Sequence, residues 1–188
     1  MKRRLCAAAC ACLLLVGCAG TKDSPNVTQE ALAETVAETT ATVSVEEYMV
    51  RISDAVAKID SACIPIGNMA TYEVKYWKTL STITKNVKPS DVVEPAIKLV
   101  EGNSEYTKES MDTDYQENGE TYKEIMLSPV PENAQKIYDL YDAYYTAYSK
   151  FYNHVMTPSG TLSTFAMNGS DLISAINDTK AQLDTLIG

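Results

Sequence analysis

Ile137-Tyr-Asp-Leu-Tyr-Asp-Ala-Tyr-Tyr-Thr-Ala-Tyr-Ser-Lys-Phe-Tyr-Asn-His-Val155 is the stretch on which the fold turns. Wound at 100° per residue, Ile137, Tyr138, Leu140, Tyr141, Tyr144, Tyr145, Tyr148, Phe151, Tyr152 and Val155 fall within an arc of about 160°. Asp139, Asp142, Thr146, Ser149, Lys150 and Asn153 take the opposite side. A strand alternates every second residue, and no such alternation fits here. The segment is an amphipathic helix, and an apolar arc this wide needs two neighbours rather than one.

The flanking sequence supplies those neighbours. Upstream, Ser44-Val45-Glu46-Glu47 has the form of a capping box, with Val43 and Tyr48 placed for a hydrophobic staple. Tyr48, Ile52, Val56, Ile59 and Cys63 then recur at helical spacing, and Ala70, Val74, Trp77 and Leu80 continue the pattern. Pro65 and Gly67 interrupt it, which predicts one kinked helix or two collinear ones ending near Lys85-Asn86. A second helical segment runs from Ser90 or Pro95 to Leu127. Its start has an apolar face in Val93, Ile97 and Val100, whereas Glu101–Glu120 is polar apart from Tyr106, Met111 and Tyr115. Pro129 and Pro131 suit the first turn of the Tyr-rich helix. Downstream, Thr157-Pro158 reads as an N-cap and first position of a further helix. Leu162, Phe165, Gly169, Leu172, Ile176 and Leu183 keep its 3–4 spacing, with a possible fresh cap at Ser170. The expected fold is all-α: an elongated antiparallel bundle over residues 44–188, of four helices or of three long kinked ones. That length buries a core without disulfides.

The chain begins differently. Lys2, Arg3 and Arg4 precede an uncharged apolar run from Leu5 to Val16. As a helix that run spans about 18 Å, short of the ~30 Å hydrocarbon core of a bilayer. It reads as the core of a secretory signal rather than a membrane span. Leu15-Val16-Gly17-Cys18 closes it, and this tetrad resembles the lipobox of bacterial lipoproteins. The resemblance covers the first twenty or so residues and implies cleavage after Gly17, leaving a diacylglyceryl group on the Cys18 thiol. Two acyl chains hold a protein stably where one is marginal. It further implies an extracytoplasmic, membrane-anchored location, facing the periplasm or sorted to the outer membrane in a cell with two membranes. Ala19, rather than Asp, after the cysteine resembles the outer-membrane-sorted class. Residues 18–43, rich in Thr, Ala and Glu and without an aromatic residue, are expected to be a flexible tether.

Cysteine usage fits that processing. Of five cysteines, Cys6, Cys10 and Cys12 leave with the signal and Cys18 carries lipid, so Cys63 has no disulfide partner. Its place on the apolar pattern makes it a small buried hydrophobe. Removing Lys2, Arg3 and Arg4 takes the formal −9 three units further negative. An acidic domain offers no basic face to phosphates, so a nucleic-acid partner is not expected.

Chemistry has few footholds. A single histidine, His154, cannot form a His-based zinc pair and is expected at the solvated rim of its helix. Asp114-Tyr115-Gln116-Glu117-Asn118-Gly119-Glu120 imitates the start of a calcium loop. Position 12 is Ile125, so the closing bidentate carboxylate is missing. No phosphate loop or nucleophile elbow is present. The chain is read as having no catalytic, metal-binding or cofactor-binding residues.

Tyrosine is the compositional oddity, with twelve against two Phe. Tyr can fill a core while its hydroxyl reaches the edge, or it can build an aromatic interface. The residues expected on such a partner or ligand face are Trp77, Tyr144, Tyr148 and Tyr152. The function expected on these grounds is a non-catalytic, lipid-anchored module that binds another envelope or surface protein. The alternative is a small-ligand binder with a tyrosine-lined pocket between helices.

Overall fold

The computed structural model describes residues 43–188. The expected signal, Cys18 and the expected tether up to residue 42 lie outside the described residues. Within them the fold is all-α: five helices, a short 3-10 turn and no strand. The helices are α1 (Val45–Ile83), α2 (Val93–Asn103), α3 (Lys108–Leu127), α4 (Gln135–Met156) and α5 (Leu162–Ile187). None of them is long and apolar enough to cross a membrane.

α1 begins where the cap predicts: the Glu47 N–H donates to Ser44 Oγ at 3.1 Å. It then runs for 39 residues straight through Pro65. Proline removes the helical donor to the Ser61 carbonyl, but tertiary packing outweighs that loss. A continuous stripe of α1 is buried on both sides of it, from Tyr48, Ile52 and Ile59 to Ile66, Met69 and Trp77. Beyond Pro65 the buried register differs from the expected one. Ile66, Met69, Glu73 and Trp77 point inward, while Ala70, Val74 and Leu80 sit half-buried at the edge.

The expected second segment is two helices. α2 stops at Asn103, and Thr107 caps α3 reciprocally: Ser110 N–H donates to Thr107 Oγ1 (3.0 Å) and Thr107 N–H donates to Ser110 Oγ (2.9 Å). The Lys108 N–H reaches back to Glu101 Oε1 at 3.1 Å. Local capping thus breaks a stretch whose polar composition gives little burial to hold it together. The later boundaries also move. Pro129 and Pro131 lie in the loop before α4, where Asn133 takes a positive φ of 70°. Thr157 closes α4 rather than opening the next helix, and Thr161 caps α5 with Thr164. α5 passes through Asn168–Asp171 without a fresh start.

α1 packs against each of the other four helices, and α4 packs against both α3 and α5. Most buried side chains form one cluster, in which Tyr48, Tyr141, Tyr144, Tyr148 and Phe151 are the bulkiest. Trp77, Val92 and Phe165 form a second, smaller cluster at the C-terminal end of α1.

Candidate functional site

The four aromatic residues expected on a partner face are all buried. Tyr144 and Tyr148 are fully enclosed, Tyr152 is 8% exposed and Trp77 4%. The arc of α4 is wide because it is covered on several sides by α1, α3 and α5. Trp77 packs at a tilt on Phe165, with ring centroids 5.9 Å apart.

Their polar ends are individually provided for. The Tyr144 hydroxyl donates to Asp60 Oδ1 at 2.5 Å. Asp60 also lies 3.4 Å from Lys180 Nζ, which pairs with Asp184 on α5. Burial first, and then this hydrogen bond, push the Tyr144 phenol far above its usual range. Tyr152 donates to Asp112, the partner of Lys108. Tyr148 accepts a long bond of 3.4 Å from Asn118 Nδ2. Asp60–Tyr144–Lys180 thereby ties three helices with one carboxylate.

Other expected residues divide. Cys63, expected as a buried hydrophobe, is half-buried, and burial first and then Asp60 push its thiol up to about 12, which keeps it protonated at neutral pH. His154 is not at a solvated rim: its ring stacks on Phe165 (centroids 4.4 Å, 16°) and Nε2 lies 3.0 Å from the Phe165 carbonyl oxygen. The calcium-loop look-alike is a continuous part of α3, which lacks the turn such a loop needs. Among the described residues no group of three or more His, Cys, Asp or Glu is placed to hold a metal.

Two features escape sequence reading. Glu73 is completely buried and neither carboxylate oxygen has a hydrogen-bond partner. Burial alone lifts its carboxyl to about 8, so it is neutral over much of the physiological range. The second is an apolar groove of about 350 Å³ between α1 and α5. Gly67, Ala70 and Thr71 form one wall, Ala166, Gly169 and Ser170 the other, over a floor of Phe151 and Phe165. Small residues keep it open: a Cβ built on Gly67 meets nothing within 4 Å. Ile173 lines it at 41% exposure, and Ile64 and Met167 stand exposed on the same two helices at 58% each.

Comparison with known proteins finds no matching family model, no similar curated sequence and no similar solved structure.

Proposed function

We propose that the chain is a lipid-anchored, extracytoplasmic helical module that docks another envelope or surface protein and carries out no chemistry itself. In this reading Cys18 bears the lipid, residues 19–43 are a flexible tether, and the five helices form an antiparallel bundle held off the bilayer. The observation that carries the docking role is the apolar α1–α5 groove, on whose lining Ile173 is 41% exposed. Its occupant is a basic amphipathic helix of the partner. Small wall residues admit close approach of a backbone, the Phe floor receives apolar side chains, and a net charge three units more negative than the formal −9 once Lys2, Arg3 and Arg4 are removed favours Lys and Arg around them.

The test uses the full chain in cells, with a photo-cross-linking residue in place of Ile173. The expected adduct joins the groove to a Lys/Arg-rich amphipathic helix of one protein. Gly67→Leu is expected to abolish that adduct by filling the groove. The same substitution should leave the fold intact or stabilise it by roughly 0.5–1 kcal/mol, since leucine is the better helix former. Cys18→Ser should move the chain from the membrane fraction to the soluble one. Adducts only with a second copy, only with a small molecule, or none at all would overturn the docking role. Persistence of Cys18→Ser at the membrane would overturn the anchor.

A further inference from the structure

Between α3 and α4 the tyrosines are arranged in a continuous row. Tyr115 and Tyr122 stand seven residues apart on α3, and Tyr145 and Tyr152 seven apart on α4. They meet as two face-to-face pairs. Tyr115 stacks on Tyr152 with centroids 3.9 Å apart and planes 4° from parallel. Tyr122 stacks on Tyr145 at 3.9 Å and 11°. Tyr148 bridges the pairs, 5.9 Å from Tyr115 and 6.1 Å from Tyr145. Aromatic pairs usually sit with ring centroids about 4.5–7 Å apart, so two parallel stacks at 3.9 Å joining the same two helices are unusually close. Each pair also contains one phenol already hydrogen-bonded to a carboxylate: Tyr122 to Asp142 at 2.6 Å and Tyr152 to Asp112 at 2.5 Å.

We propose that these two pairs are an oxidation site, at which a one-electron oxidant converts Tyr115–Tyr152 and Tyr122–Tyr145 into dityrosine and fastens α3 to α4 covalently. Loss of an electron makes a phenol a strong acid, so oxidation is easiest where a base already holds the proton. Asp142 takes the proton of Tyr122 and Asp112 that of Tyr152. Tyr115, whose hydroxyl lies 2.8 Å from Ser149 Oγ, and Tyr145 have no carboxylate partner, and their protons pass to bulk water, Tyr115's by way of Ser149. The Tyr115 hydroxyl is bonded on α4 and that of Tyr152 on α3, so the rings stack head to tail, and the two radicals couple after a short slide that brings together the ring carbons next to their hydroxyls. One C–C bond forms, and the hydrogens on the joined carbons shift to the oxygens to restore aromaticity. Each cross-link therefore releases two protons and two electrons, which reduce two equivalents of the oxidant. Pre-stacking replaces a diffusional encounter of radicals with a contact present before oxidation. Tyr148, touching both pairs, shares an electron hole between them.

The experiment oxidises the full chain with photoexcited tris(bipyridine)ruthenium and persulfate, an outer-sphere one-electron oxidant, over a series of protein dilutions. Dityrosine fluorescence and cross-linked peptide mass spectrometry are the readouts. The expected product is monomeric, formed in a yield independent of dilution, and maps to 115–152 and 122–145. Tyr115→Phe combined with Tyr145→Phe keeps the rings and the packing, and should bring the intramolecular signal to background. Tyr72→Phe combined with Tyr138→Phe, which removes phenols outside the row, should leave it unchanged. Cross-links only between molecules, cross-links at other tyrosines, or an undiminished yield in the first variant would each overturn the proposal.

Discussion

Tyr148→Ala is expected to lower the unfolding free energy by about 3–5 kcal/mol, the range for truncating a large buried aromatic side chain. The side chain is fully enclosed between α1, α3 and α4 and is in ring contact with Tyr115 and Tyr145. Its removal leaves a cavity that the neighbouring rings, stacked against their own partners, cannot easily fill. It also strips Asn118, itself buried, of its hydroxyl acceptor. Tyr148→Phe separates the two contributions. It keeps the ring and loses one long hydrogen bond, so the expected cost is about 1 kcal/mol or less. Leu127→Ala is the matched surface control, at a position 86% exposed. Urea titration of the full chain reads all three, and a Tyr148→Ala midpoint close to that of Leu127→Ala would show that Tyr148 is not core.

The second large effect depends on pH. In the unfolded chain Glu73 ionises near 4.5, while in the native fold burial holds its proton until about pH 8. Between those values the native state binds more protons than the unfolded state, so stability falls as pH rises. The contribution is intact below about pH 4 and fully lost above pH 8, a total of roughly 5 kcal/mol. Glu73→Gln preserves the shape and should flatten that part of the profile. Glu73→Met also removes both unpartnered oxygens, and is expected to stabilise the fold at pH 8 by several kcal/mol because a buried polar group without a partner is costly. Chemical denaturation at pH 5, 6.5 and 8 checks this. A wild-type profile parallel to that of Glu73→Met would mean the carboxylate finds water or a cation in the native fold.

Legibility in the sequence followed side-chain bulk. α4 could be read because large residues occupy its inner arc: Ile137, Tyr141, Tyr144, Tyr148, Phe151, Tyr152 and Val155 are buried as expected, whereas Tyr138, Leu140 and Tyr145 are half-buried at its edges and Ala147 joins the core. α3 hid its pattern in polar-looking residues. Met111, Tyr115, Asn118, Tyr122 and Ile125 keep a strict 4–3 spacing and all turn inward, fully or partly buried. Taking a polar residue as solvent-facing ends that stripe at Tyr115, because the next position on it is Asn118. Glu73 aligns with Ile66, Met69 and Trp77, but a carboxylate is assigned to solvent by default, and only packing shows otherwise. The groove had no periodic signature, because Gly67, Ala70, Ala166 and Gly169 act by what they leave empty. Trp77, Tyr144, Tyr148 and Tyr152, expected together on a partner face, are buried instead, and Trp77 lies in a different cluster from the three tyrosines. Whether such a face is interior or interface depends on the helices laid over it, which composition does not encode.

α1 is about 58 Å long at the rise of an α-helix, and its two ends serve different clusters. From Tyr48 to Met69 it is embedded among the bulk of the buried side chains; from Trp77 onward it is held by a handful, and Ile83 is 78% exposed. Glu73 is the seam, since a neutral unpartnered carboxyl contributes little cohesion to either side. A single helix thus spans two apolar clusters of unequal size. Its amide hydrogens should exchange with deuterium in two classes: those before Met69 only through global opening, those beyond Glu73 through a cheaper local release of the α1 end.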